Sequence, residues 1–393
     1  MFAVLAALMT SPAHACGGFF CNNVEPVVQS GERILFHVGE GQVTTYIEVQ
    51  YEGQPESFAW VIPVPKGVNV DTDIGVSPPG LFDQLEGLTA PRFEVPQPST
   101  ADTGSSADVS SSRYMGSSGC GMGNRSSVYY HDGYWDTAAW IEDMTSGVEV
   151  LGEAVVGPYD IELIATENSD NLLFWLQVNG YQIPFSAVDI IEQYVAADLD
   201  FVGVKLAPDV PEGPVDTLEI TFAADGPTVP LLLTSVAAVE NMEVTAYVLS
   251  DERYAPANYT DLQFDYDQVL WNDPEALSTD YDVRLASAAN AAGGIAWNTE
   301  YARPVDHLLS NNGAMSEDLA IVLEQGAYLT RFHTFISPDE MTRDPAWIPA
   351  PQLDDVDHIH FIAPPVVEGR RTPAGGAAWL LLPLLGFGLR RRD

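Results

Sequence analysis

Alternation of apolar and polar positions dominates the first half of the chain. Gln42 to Tyr51 places Val43, Thr45, Ile47, Val49 and Tyr51 on one face, and Gly53 to Pro55 follows as a turn, so the segment is predicted to be a strand. Phe58-Ala59-Trp60-Val61-Ile62-Pro63-Val64-Pro65 is a continuous apolar run whose prolines confine it to a strand end or a sheet edge. Leu81, Leu85 and Leu88 recur at helical spacing within Pro79 to Leu88. Further strands are expected at Val148 to Val156, Asp160 to Ala165, Leu218 to Phe222 and Met242 to Leu249. Helices are expected at Ser186 to Ala197, with Ser186 as N-cap, at Val283 to Ala292, and at Ser316 to Leu323, where Ser316 caps an acidic first turn. Phe58-Ala59-Trp60-Val61 and Phe174-Trp175-Leu176 each follow an alternating segment, which raises the question of two similar β units.

Strands interrupted by a few helices, without regular strand-helix alternation, predict an α+β fold of mostly antiparallel, sandwich-like sheets. A parallel doubly wound enzyme does not fit this order. The composition shifts sharply to Ser, Gly, Asp and Thr over about 96–124, an expected surface insert. The resulting division is a leader over 1–15, a mostly β domain over 16–210 carrying the insert, a β-plus-helix domain over 211–368, and a tail over 369–393.

The two ends read as addresses. Phe2 to Met9 is apolar and leads to Ala13-His14-Ala15, a small-residue pattern that suits signal peptidase cleavage after Ala15. The alternative is a lipoprotein signal with Cys16 acylated, against which Ala13 stands where a bulky aliphatic residue is needed. At the other end Gly375-Gly376 precedes an apolar segment over 377–389 and the cluster Arg390-Arg391-Arg392. A spanning helix needs roughly 20 apolar residues, so this membrane segment is short. The order resembles GlyGly-type sorting signals cut by a rhomboid-like protease, and resembles the myxobacterial-type tail without its cysteine. The arginines would stay inside and hold the body of the chain outside, at the cell envelope or outer surface.

Charge narrows the partners. The chain has 56 acidic and 16 basic residues among 393, a formal net charge of -40, and Lys66 and Lys205 are its only lysines. Such a surface repels phosphates, which excludes nucleic acid binding through a basic patch. It suits either a salt-rich habitat or the recruitment of divalent cations.

The segments Cys16-Gly17-Gly18-Phe19-Phe20-Cys21, Gln29 with Glu32-Arg33-Ile34, and Phe58 to Pro65 together resemble the bacterial domain-of-unknown-function family numbered 2330. Tyr328-Leu329-Thr330-Arg331 through Ser337 to Pro345 is similar to that family's C-terminal signature. The resemblance implies no activity and transfers no catalytic role.

Candidate chemistry is sparse. Cys16, Cys21 and Cys120 are expected outside the cytoplasm, where disulfides persist, either as a Cys16–Cys21 bridge or, with Cys16 acylated, as Cys21–Cys120. Asp102-Thr103-Gly104-Ser105 matches an aspartic-protease string but lies in Ser-rich sequence with no second copy. Cys120 and His131 are a nominal thiol and base with nothing to fix their geometry. Asp354, Asp357, His358 and His360 form the most ligand-like cluster, since alternate residues on a strand share a face and imidazole with carboxylate suits a divalent cation. Asp265, Asp267, Asp273, Asp280 and Asp282 form a second acidic neighbourhood without an EF-hand pattern. The leading expectation is a non-enzymatic binding or structural protein, with Tyr129-Tyr130 and Tyr134-Trp135-Asp136 as aromatic anchors; the competing one is a divalent-metal-dependent hydrolase.

Overall fold

The computed structural model describes residues 28–52, 59–77, 80–96, 147–181, 183–206, 216–273, 278–311 and 315–364. The leader, all three cysteines, most of the Ser/Gly-rich insert, the aspartic-protease string, His131, the Tyr129 to Asp136 aromatics and the sorting tail lie outside these residues.

Twin-faced burial explains the central sheet. Strands β1 (Val28–Gly39) and β2 (Gln42–Glu52) form a hairpin through Glu40-Gly41, where Gly41 takes φ +69°. A side chain at that φ is strained, which is why glycine occupies it. Ile34 and Phe36 point to one face of β1, and Arg33 and Leu35 to the other, yet Ile34, Leu35 and Phe36 are all buried. A strand covered on both faces loses its polar alternation and reads as a near-continuous apolar run. Strand β10 (Ala238–Ser250) does the same, with Val244, Ala246 and Val248 on one side and Tyr247 and Leu249 on the other.

Eight strands make up this sheet, in the order β12-β15-β16-β10-β1-β2-β9-β4. The remaining members are β4 (Ile74–Val76), β9 (Leu218–Phe222), β12 (Thr260–Leu262), β15 (Ala296–Pro304) and β16 (Tyr328–Ile336). Most pairings are antiparallel, but β1 pairs parallel with β10 and β12 with β15. The sheet draws strands from both sides of residue 210, because β10 lies directly beside β1. A smaller antiparallel sheet runs β3-β8-β7-β6, from β3 (Ala59–Val64), β6 (Val148–Val156), β7 (Tyr159–Thr166) and β8 (Asp200–Leu206). The proline-containing β3 is at its edge, where a missing N–H is tolerated.

The two sheets pack face to face around Ile34, Phe36, Trp60, Ile62, Ile161, Val202, Val244 and Phe332. Trp347 is at the centre, with ring centroids 5.7 Å from Phe36, 5.2 Å from Trp297 and 5.7 Å from Phe332. Helices cover both outer faces, which gives a four-layer α+β arrangement. On the small sheet lie α2 (Ser169–Val178) and α3 (Val188–Ala196), burying Leu172, Leu176, Ile191 and Tyr194. On the large sheet lie α1 (Leu81–Thr89), α6 (Asp306–Asn311) and α7 (Glu317–Leu323), burying Leu81, Phe82, Leu85, Leu308, Leu319 and Leu323. Arg33 pins α1 to β1 and β2 by pairing with Glu48, with Asp83 at 3.0 Å and with Glu86 at 3.1 Å.

Two expectations change. Ser186 does not cap α3: it lies within a 3-10 turn, Phe185–Ala187, and the helix starts from Ala187 with no side-chain cap. Phe174-Trp175-Leu176 lies in α2, whereas Trp60 lies in β3, so the sequence echo joins a helix to a strand and marks no repeat. By contrast the mostly antiparallel α+β fold read from the sequence is present, with β10 and β15 each also lying beside a strand running the same way. Ser316 caps α7 as its residue type dictates, its Oγ accepting from Leu319 N at 3.1 Å.

Candidate functional site

A β-bulge supplies the chemistry beneath the site. In β15 the register with β16 shifts between Thr299 and Tyr301, so Glu300 is the extra residue and is turned onto the outer face of the large sheet. There it meets Arg331 and His333, which share that face because they are two apart on β16. Arg331 Nε donates to Glu300 Oε2 at 2.6 Å, His333 Nδ1 lies 2.7 Å from Glu300 Oε1, and the Tyr281 hydroxyl also donates to Glu300. Arg331 donates to the Tyr247 hydroxyl as well. On its other side His333 Nε2 lies 3.1 Å from Glu243 Oε1, close enough for an ion pair though not aligned as a hydrogen bond.

Glu300, Arg331 and His333 are all buried, and an isolated charge there would be costly. Their mutual arrangement decides their ionisation. Burial acts to raise the Glu300 carboxyl, but the charges of His333 and Arg331 and the hydrogen bonds they supply outweigh it and hold it at about 2. Burial acts to lower His333, and the flanking carboxylates Glu300 and Glu243 outweigh that, lifting it to about 9. The cluster is therefore two interlocked ion pairs at neutral pH, with each charge spent on a neighbour.

Above this lock is an aromatic layer. Helix α5 (Tyr281–Ala291) begins with Tyr281, whose hydroxyl accepts from Asn298 Nδ2 at 2.9 Å; the same amide nitrogen donates to the Tyr266 hydroxyl at 2.9 Å. Tyr266 stacks on Tyr281 with centroids 5.9 Å apart, and Phe264 meets both edge-on. Phe93, in β5 (Arg92–Glu94), packs 5.4 Å from Tyr281.

This layer floors a cleft of about 770 Å³, lined by Pro91 to Val95, Trp271, Ser278, Thr279, Tyr281 and Asp282. One wall is β5, whose only strand neighbour among the described residues is β18 (Ile359–Phe361), paired parallel. Arg92 N donates to His358 O at 2.7 Å and Glu94 O accepts from Ile362 N at 3.0 Å, so strand alternation turns the N–H and C=O of Phe93 to the opposite edge. The other wall is the short ribbon of β13 (Trp271–Asp273) and β14 (Ser278–Thr279), joined to α5. Trp271 Nε1 donates to Ala363 O at 3.1 Å, which fixes its ring against the cleft. Two carboxylates, Glu94 and Asp282, line the cleft without an ion-pair partner among the described residues. Burial raises Asp282, only partly countered by His333.

Of the four residues expected to hold a divalent cation, Asp357 and His358 come together, Oδ1 to Nδ1 at 3.3 Å, while the other contacts of the four go to different parts of the chain. Asp354 is exposed, and Asp357 pairs with Arg303 at 2.6 Å and accepts from Ile359 N at 3.2 Å. His358 is buried edge-on against Tyr301, with centroids 5.7 Å apart. His360 stacks flat on Tyr266 at a centroid distance of 3.5 Å, and burial lowers it to about 4, so it is neutral. Among the described residues no group of three or more His, Cys, Asp and Glu is arranged to hold a metal ion. Of the second acidic neighbourhood, Asp282 lines the cleft, while Asp265 and Asp280 are used locally. Asp265 Oδ1 accepts from Asp267 N at 3.1 Å, while Asp280 accepts from Leu270 N at 2.7 Å and pairs with Arg284 at 2.7 Å.

Sequence reasoning passed over Glu300, Arg331 and His333 as a group. The available signal was the placing of Arg331 and His333 two apart between Leu329, Phe332, Phe335 and Ile336, because charges on a strand otherwise rich in apolar residues need a partner.

No curated protein and no solved structure matches the chain. A family profile does, over residues 10–347, a span that takes in the Glu32 region, the β3 run and the Arg331 to Pro345 stretch. The chain belongs to the family described as uncharacterized protein conserved in bacteria, DUF2330.

Proposed function

We propose that this chain is an exported, envelope-displayed binding protein without catalytic activity, which takes an extended, positively charged polypeptide segment into the cleft beside β5. The observation that carries the reading is an edge of β5 that is open among the described residues, lying next to Phe93, Trp271 and Tyr281 and to Glu94 and Asp282, carboxylates with no ion-pair partner among those residues. A free strand edge offers main-chain hydrogen bonds to an incoming strand, and flanking pockets select its side chains. Aromatic faces and carboxylates together favour Arg or Lys, through cation–π contact and charge. A net charge of -40 steers cations toward the surface. The buried ionic cluster supports a binding role, since its ionisable groups are consumed by one another. Export and display rest on the Ala13-His14-Ala15 leader pattern and on the tail from Gly375-Gly376 to Arg392.

Calorimetric titration with a hexa-arginine peptide tests the reading. Saturable binding that weakens with added salt, and is reduced tenfold or more by Asp282→Asn combined with Trp271→Ala, supports it. Failure to saturate, or equal binding by that variant, removes the cleft from the account.

A further inference from the structure

The two sheets do not fill the whole space between them. An apolar cavity of about 130 Å³ remains between the inner face of the large sheet and β3, walled by Ile34, Phe36, Trp60, Ile62, Val64 and Val229. That is close to the size of an engineered apolar cavity of about 150 Å³ that takes up benzene. Unlike such a cavity, this one is lined by a carboxyl group. Glu32 is 4% exposed, faces the cavity from β1, and accepts from Gln29 Nε2 at 3.1 Å. It belongs to no ion pair among the described residues. A second polar group also lines the cavity: Thr45 is 4% exposed, and its Oγ1 is buried with no hydrogen-bond partner among the described residues. Most buried polar groups are paired, so an orphan hydroxyl and an acid without a counter-charge in one apolar cavity need an explanation.

Chain economy does not supply one. Removing the charge at Glu32 by an amide or an apolar residue would relieve the burial cost, and the packing around it would change little. Separated stretches singled out in the sequence converge here: Gln29 with Glu32, the β3 run from Trp60 to Pro65, and Asp344 before Pro345. Asp344 closes another part of the lining, accepting from Leu232 N at 2.9 Å and from the Tyr194 hydroxyl at 2.8 Å.

We propose that this inter-sheet cavity is a binding site for a small primary amine with a compact apolar body, its ammonium group paired with the Glu32 carboxylate and its hydrocarbon packed between Ile34, Trp60 and Ile62. An ammonium group supplies the counter-charge that Glu32 lacks, and the apolar walls accept a body of about six heavy atoms at the cavity's size. Tyr194 and Asp344 are the other titratable groups in the lining, and they are bonded to each other. The site is separate from the cleft beside β5, so either can fail without the other.

Calorimetry with n-butylamine, n-butanol and benzene as probes tests this. Burial holds Glu32 up at about 7, so a bound ammonium must first displace its proton. The amine is therefore expected to bind saturably at pH 8 and about 100-fold more weakly at pH 5. Glu32→Gln is expected to abolish amine binding while remaining folded, since it removes a buried ionisable group. Ile62→Phe, which fills the cavity, is expected to abolish it by a second route. Amine binding that persists in Glu32→Gln, n-butanol or benzene binding as tightly as the amine, or binding of none of the three overturns the proposal.

Discussion

Glu300 and His333 are 2.7 Å apart although the residue paired with His333 in the sheet is Asn298. The bulge in β15 produces this displacement, and with it a buried acid is placed within reach of two cations on one neighbouring strand. The large sheet is thereby locked below the aromatic floor of the cleft.

Removing one member of this lock leaves the others buried and uncompensated. Arg331→Ala is expected to destabilise the fold by about 3–5 kcal/mol. Glu300→Gln, which keeps the shape, is expected to cost nearly as much because it strands Arg331 and His333. Urea unfolding of the two variants checks this, and a loss below about 1 kcal/mol for either would show that water reaches the cluster.

The pH dependence has a definite sign at each end. His333 is raised from 6.5 to about 9 in the folded chain, so its contribution is complete below pH 6.5 and is lost as pH rises through 9. Glu300 is lowered from 4.5 to about 2, so its contribution is complete above pH 4.5 and is lost as pH falls through 2. The stability difference between wild type and His333→Gln is expected to be larger at pH 6 than at pH 10. Thermal unfolding at both values measures it.

Glu32 works in the opposite direction. Its folded value is raised from 4.5 to about 7 by burial, against the hydrogen bond from Gln29, so folding favours the protonated acid. That advantage is complete below pH 4.5 and is lost as pH rises through 7. Glu32→Gln is therefore expected to gain stability relative to wild type by roughly 3 kcal/mol between pH 4 and pH 8. Denaturant midpoints at the two pH values report it, and a constant difference would place Glu32 in contact with water.

Close packing in the small sheet gives a further expectation. A Cβ at Gly203 would be 2.5 Å from the Tyr181 hydroxyl, which donates to Glu162 at 3.0 Å. Gly203→Ala is expected to cost about 1–3 kcal/mol. Tyr181→Phe in the same chain is expected to recover part of it by removing the colliding oxygen. A double-mutant cycle with no coupling would contradict the contact.

Local patterns in the sequence foretold the elements better than the site. The Val43 to Tyr51 alternation, the β3 prolines and the Ser316 cap each follow from neighbours in sequence, and each is present in the fold. The α+β class followed from their order. The Ser186 cap failed because Ser186 is itself inside a 3-10 turn, Phe185–Ala187, that leads into the helix, so the helix starts one residue later, from Ala187. The cluster was harder to read because Glu243, Glu300 and Arg331 come from separate strands, and a bulge, which alternation does not reveal, brings Glu300 into place. His358 and His360 misled for the complementary reason. Their spacing fits a ligand pair, but their surroundings are Tyr301 and Tyr266, which come from distant parts of the chain.

Hydrogen–deuterium exchange with and without the hexa-arginine peptide tests the central claim most directly. Strand addition at β5 is expected to slow exchange at residues 92–95, 271–273 and 278–282, with the amide of Phe93 among the most protected. Protection confined to other acidic surfaces, or none at saturating peptide, would contradict the claim that this cleft is where the protein binds.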